Sequence, residues 1–151
     1  MSTSGPVATA KRSIETLLGG RSVLHVKPRT ALDWVSVIRH GIGSAAVDCL
    51  AKTIRVTRSE LASTLGIPER TLARRIREGM LSSEESTKLL RLARVVERAE
   101  ETFEDPDAAL AWLKAPNAAL LRATPLSLLD TDIGADSVMD TLGRSGHGVF
   151  A

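Results

Sequence analysis

Seven charged or polar side chains crowd the segment SELASTLGIPERTLARRIREG (residues 59–79) and its upstream flank: Arg58, Glu69, Arg70, Thr71, Arg74, Arg75 and Arg77. A guanidinium is a planar fork of donors that can pair with O6 and N7 of guanine together, or clamp a phosphate. Arginine at this density fits nucleic-acid recognition. Arg70, Thr71 and Arg74 suit base edges or nearby phosphates, while Arg75, Arg77 and Arg58 suit phosphates, which set affinity without reading sequence. The other chemistry-bearing residues form no reaction centre. His25, His40 and His147 are far apart in sequence, and there is no nucleophile–base spacing, metal-ligand cluster or glycine-rich phosphate loop. Cys49 lies in the apolar run Ala45–Leu50 and reads as a small core residue rather than a reactive thiol. The expectation is a non-enzyme without cofactor or metal.

These arginines need a scaffold, and the same segment supplies one. Thr57-Arg58-Ser59-Glu60 has capping-box spacing and opens a short helix. Gly66 ends it, because glycine accepts the left-handed backbone a helix end demands. Pro68 pre-sets the start of a second helix that stops at Gly79. Two short helices joined at a tight glycine turn form a helix-turn-helix, with Leu61, Leu65, Ile67, Leu72 and Ile76 as shared core and Ala62 permitting close approach. In the DNA-binding form, the start of the second helix meets base edges in the major groove. One position is irregular: Arg75 stands where an apolar residue is usual, three after Leu72, and Ile76 takes over the packing. An ordinary helical hairpin with a solvated basic face is the alternative.

Further elements follow from periodicity and breakers. Helices are expected at about 31–40, 44–53, 83–103 (opened by the capping box Ser82–Glu85), 107–114 and 132–144, with another start at Thr124-Pro125 running through Leu129. In the first of these, Leu32, Val35, Ile38 and Arg39 form the stripe; in the last, Ile133, Val138, Met139 and Leu142 do. Trp34 and Trp112 read as core. The fold class is all-α. The expected domains are a flexible N-terminal tail (1–25), a helix-turn-helix domain (26–81) and a second helical domain (82–151).

Charge separates the same regions. The chain of 151 residues carries a formal net charge of +2, but residues 52–79 are basic and residues 80–151 acidic. Such asymmetry suggests two different partners, only the basic one meeting nucleic acid. Acidic residues of the second half, such as Glu84, Glu85, Asp107 and Asp132, read as helix-start or exposed-face carboxylates. One cysteine supports no disulfide framework, and no secretory or membrane segment is visible, so a soluble cytoplasmic protein is expected. The chain end, Gly-His-Gly-Val-Phe-Ala, offers an aromatic anchor and a terminal carboxylate that could enter a basic cleft, or could fold back on its own helices.

The second half also carries a resemblance. ALAWLKAPNAALLRATPLSLLDTDIGADSVMDTLGRSGHGVFA (109–151) resembles the toxin-binding domain of the MbcA/ParS/Xre antitoxins. Its signposts are Trp112-Leu113, Pro116-Asn117, Thr124-Pro125-Leu126, Leu128-Leu129-Asp130-Thr131, Gly134, Leu142-Gly143-Arg144 and His147-Gly148-Val149-Phe150. Residues 69–103 are similar to the Xre-like part of the same proteins. Leu121-Arg122 departs from the pattern where many relatives carry glycines, and Ser145-Gly146 where they often have bulkier residues. The resemblance implies an antitoxin that neutralises a RES-domain toxin, an enzyme consuming NAD⁺. It places Arg144, His147, Gly148, Val149, Phe150 and Ala151 at the toxin's active-site cleft, and implies repression of the antitoxin's own operon. A homodimer is expected, since one short helix reads an operator weakly. The alternative is a stand-alone helix-turn-helix regulator whose C-terminal half dimerises.

Overall fold

The computed structural model describes residues 12–148, with side chains through Ser145, and each named element among them is helical. Two four-residue helices, α1 (Ile14–Leu17) and α2 (Arg21–Leu24), precede α3 (Ala31–His40) and α4 (Ala45–Thr53). The hairpin α5 (Arg58–Leu65) and α6 (Glu69–Glu78) leads to the long α7 (Ser83–Phe103), then α8 (Pro106–Lys114) and α9 (Asp132–Gly148). Between α8 and α9 lie two short 3-10 helices, Ala118–Leu120 and Pro125–Leu128. The capping boxes expected at Thr57 and Ser82 are both formed, and a third joins Thr30 to Asp33. Each satisfies two helix-start amides that would otherwise lack partners.

Helix α7 organises the molecule. At 1.5 Å per residue its 21 residues reach roughly 32 Å, and α1, α3, α5, α8 and α9 all pack on it. Leu89, Leu92, Ala93, Val95, Val96 and Ala99 recur at helical spacing and are buried. Phe103 near its end meets Trp112 of α8 with ring centroids 5.7 Å apart. At its start, the loop before α4 pairs with the loop before α7. Ser44 N–H donates to the Gly79 carbonyl (2.9 Å), Leu81 N–H to the Ile42 carbonyl (2.9 Å), and Ile42 N–H to the buried Ser86 hydroxyl (2.8 Å). These bonds fix the entry of α7 against the hairpin.

The expected tail is corrected from residue 12 onward. Leu17 and Leu18 are buried, α1 packs on α4 and α7, and Arg12 pairs with a carboxylate on α7. The two leucines at the end of so short a helix gain more from burial against α7 than α1 could supply as an isolated helix. Residues 1–11 lie outside the described residues. Helix α3 also turns differently from expectation. Trp34, Val37 and Ile38 pack against the core, whereas Leu32 is 76% exposed. In α9, Val138 and Leu142 are buried as expected but Ile133 is 79% exposed, and the helix continues past Arg144 to Gly148.

Candidate functional site

Within the hairpin, Leu61, Ala62, Leu65, Ile67 and Leu72 are buried and Ile76 is half-buried. Gly66 closes α5 with φ 71° and ψ 34°, the left-handed geometry its position required. With its inner side committed to Leu72 and Ile76, α6 brings Arg70, Arg74 and Arg77 onto one stripe, four and three residues apart. All three are exposed. Arg70 and Arg77 have no ion-pair partner among the described residues, and Arg74 has only a loose contact with Glu78 at 3.9 Å. Thr71 is half-buried beside them. Glu69 accepts a hydrogen bond from the Ser59 hydroxyl at 3.1 Å, bracing the two helices, and Arg58 pairs with Asp48 at 3.2 Å.

Arg75 stands apart. Its Nε donates to Glu85 at 2.8 Å and its Nη1 to Glu78 at 3.3 Å. Glu85 is the reciprocal partner in the Ser82 capping box, also accepting from the Ser82 amide at 2.8 Å. Although burial alone would push this carboxyl's pKa up, the Ser82 amide and the Arg75 guanidinium together hold it below the usual glutamate range. The Glu85 hydrogen bond in turn raises the Arg75 pKa. The irregular arginine is thus tolerated because it meets a capping carboxylate at the start of α7. It is drawn away from the stripe of Arg70, Arg74 and Arg77, rather than left free for the phosphate contact expected of it. Glu85, read as a helix-start carboxylate, is a buried ion-pair partner as well; only its capping role was visible in the Ser82–Glu85 spacing.

In the C-terminal half, the signposts have mechanical roles. Asn117 caps the first 3-10 helix, its Oδ1 accepting from Ala119 N–H at 2.9 Å. The Thr124 hydroxyl accepts from Ser127 N–H, and buried Pro125 follows it. Thr131 Oγ1 accepts from Gly134 N–H at 3.0 Å. A Cβ at Gly134 would stand 1.9 Å from the Leu128 carbonyl oxygen, so that turn admits only glycine without rearrangement. Arg91 of α7 donates to the Leu129 carbonyl at 3.2 Å and pairs with Asp132.

The two halves also touch. Lys114 Nζ donates to the Arg55 carbonyl at 3.0 Å, Arg55 pairs with Asp107 at 2.8 Å, and Lys88 Nζ donates to the Gly66 carbonyl at 3.2 Å. Of the chain-end residues, Arg144 is exposed on α9, and the backbone of His147 and Gly148 forms its last turn. Val149, Phe150 and Ala151 lie outside the described residues. No cluster among the described residues could hold a metal ion, and no described helix is long and apolar enough to cross a membrane.

A helix-turn-helix with an open arginine stripe, joined through one long helix to a second helical domain, defines a two-domain helix-turn-helix protein. Residues 33–94 match the Antitoxin Xre-like helix-turn-helix domain, and residues 98–148 match the Antitoxin Xre/MbcA/ParS C-terminal toxin-binding domain. Antitoxin Xre of Yersinia enterocolitica is 34% identical over 119 residues, covering 78% of this chain and 80% of that protein. Antitoxin Xre of Photorhabdus laumondii is 32% identical over 118 residues, 77% of this chain and 80% of that protein. A Prs ADP-ribosylating antitoxin of a Sphingobium species is 26% identical over 130 residues, 80% of this chain and 82% of that protein. The chain belongs to the Xre/MbcA/ParS antitoxin family. Both matched regions share α7, which begins in the first and ends in the second.

Proposed function

We propose that this antitoxin neutralises a RES-domain toxin that consumes NAD⁺, by laying its C-terminal end into the toxin's active-site cleft. The observation that carries the reading is the match of residues 98–148 to a toxin-binding domain. Helix α9, anchored through Val138 and Leu142, carries the backbone as far as Gly148. Arg144, His147, Gly148, Val149, Phe150 and Ala151 are the contacts. An apolar aromatic side chain such as that of Phe150, following the small residues Gly146 and Gly148, suits an anchor in such a cleft. The Sphingobium relative is named for Prs ADP-ribosylation, a type of reaction that spends NAD⁺, and this supports an NAD⁺-consuming toxin. Inhibition is by occlusion and needs no chemistry from the antitoxin.

The second activity is repression of its own operon in the cytoplasm. Arg70, Arg74 and Thr71 face base edges and nearby phosphates, while Arg77 and Arg58 hold the backbone. Two copies present two α6 helices to two half-sites.

Co-expression with the adjacent reading frame tests the first activity. The pair co-purifies, the neighbour is toxic alone and depletes NAD⁺, and deleting residues 145–151 abolishes protection. A truncated chain that still protects would refute occlusion; a chain holding operator but no toxin would be a stand-alone regulator. For the second activity, Arg70→Ala with Arg74→Ala abolishes promoter retention while sparing the toxin complex. Each lost phosphate contact lowers the salt-dependence slope by about one.

A further inference from the structure

The loop between the two 3-10 helices holds two residues in a conformation costly for their side chains. Leu121 and Arg122 have φ of 57° and 70°, adjacent left-handed positions without glycine. The other non-glycine residues with positive φ among those described, His25, Arg55 and Glu104, occur singly. Elsewhere, at Gly66 and Gly79, the chain uses glycine for this conformation, which L side chains adopt at a steric cost. The loop imposes it. Asn117 N–H donates to the Ala123 carbonyl at 3.0 Å, and Arg122 N–H to the Asn117 carbonyl at 2.8 Å. Buried Leu120 anchors the turn.

Nothing within the described molecule recovers that cost through the side chains. Leu121 is 93% exposed, the most exposed large hydrophobic residue among those described. Arg122 is exposed and has no ion-pair or side-chain hydrogen-bond partner among them. Strain held in place by its surroundings, beneath an exposed leucine and an exposed, unpaired arginine, is a feature that clusters at binding contacts. The loop lies within the toxin-binding domain, and its first 3-10 helix packs on α9.

We propose that Leu121 and Arg122 form a second contact with the toxin, separate from the chain end and setting partner choice: leucine enters an apolar recess and arginine meets a carboxylate at its edge. This rests on the reading of the domain as a toxin binder. The acidic balance of this half of the chain disfavours nucleic acid as the occupant.

The test measures affinity of the full-length chain for the purified product of the adjacent reading frame, together with melting temperature. In the double variant Leu121→Gly, Arg122→Gly, relief of backbone strain raises the melting temperature by about 2–4 °C. Affinity falls at least about tenfold. The double variant Leu121→Ala, Arg122→Ala keeps the backbone restricted and loses affinity to a similar extent without that thermal gain. Unchanged affinity in the alanine variant overturns the proposal while leaving the toxin reading intact. Failure of the wild-type chain to bind overturns both.

Discussion

The two halves of this antitoxin use glycine in opposite ways. In the helix-turn-helix, Gly66 sits where the backbone is left-handed, and the conformation itself calls for glycine. In the toxin-binding domain, Gly134 has no such backbone but lies where a Cβ would meet the Leu128 carbonyl, whereas Leu121 and Arg122 are left-handed without being glycine. The α5–α6 hairpin follows local rules closely. The second half is held by contacts between distant parts of the chain, and departs from local rules at an exposed loop. Departures of that kind mark function more often than folding need.

Two substitutions test this contrast hardest. Gly134→Ala forces a Cβ to within 1.9 Å of a backbone oxygen, so the turn must move, costing about 3 kcal/mol. Gly79→Ala meets no atom within 4 Å and costs only the left-handed penalty, about 1 kcal/mol. Urea unfolding of both variants should rank them in that order; equal losses would mean that α9 relaxes around the added carbon. Arg12→Ala comes next. Glu100 is 2% exposed, and Arg12 gives it a backbone N–H at 3.3 Å, Nε at 3.2 Å and an ion pair. Removing the guanidinium leaves a buried carboxylate short of partners. Because the Arg12 side chain is 36% exposed and water can reach the pair, the cost lies near the low end for such losses, about 2–3 kcal/mol.

What the sequence made legible follows the same division. The capping boxes at Thr57 and Ser82, the stop at Gly66 and the limits of α7 are local signals, and they appear in the structure where the residues put them. The Arg12–Glu100 pair spans 88 positions, so no pattern within one helix could disclose it. For the same reason residues 12–25 read as tail when α1 in fact packs on α7. The apolar face of α3 was misjudged because two stripes compete on it. Trp34, Val37 and Ile38 prevail over Leu32 and Val35 because α7 lies on their side. The arginine stripe was readable as a set, but the loss of Arg75 from it depended on where the start of α7 would lie. In the toxin-binding domain the signposts were visible only through family resemblance, since their work is to shape turns.

The Arg75–Glu85 pair gives the smallest predicted effect. Unlike Glu100, Glu85 keeps the Ser82 amide after its arginine is removed, so Arg75→Ala costs less than Arg12→Ala. Its pH dependence has a definite sign. Glu85 has a folded pKa below the usual glutamate range, so its contribution is fully present above that range and is lost as pH falls. Removing Arg75 lifts the folded pKa toward the unfolded one and shrinks the contribution. Stability of Arg75→Ala should therefore decline less than wild type from about pH 6 to about pH 3. It should still decline, because Asp33, bonded to the Arg29 and Thr30 amides, and Glu60, bonded to the Thr57 amide, are also held below their usual ranges. Urea midpoints across that interval decide the matter. If the two acid limbs ran parallel, the capping amide alone would set the Glu85 pKa, and Arg75 would be available to DNA with the other three arginines of α6.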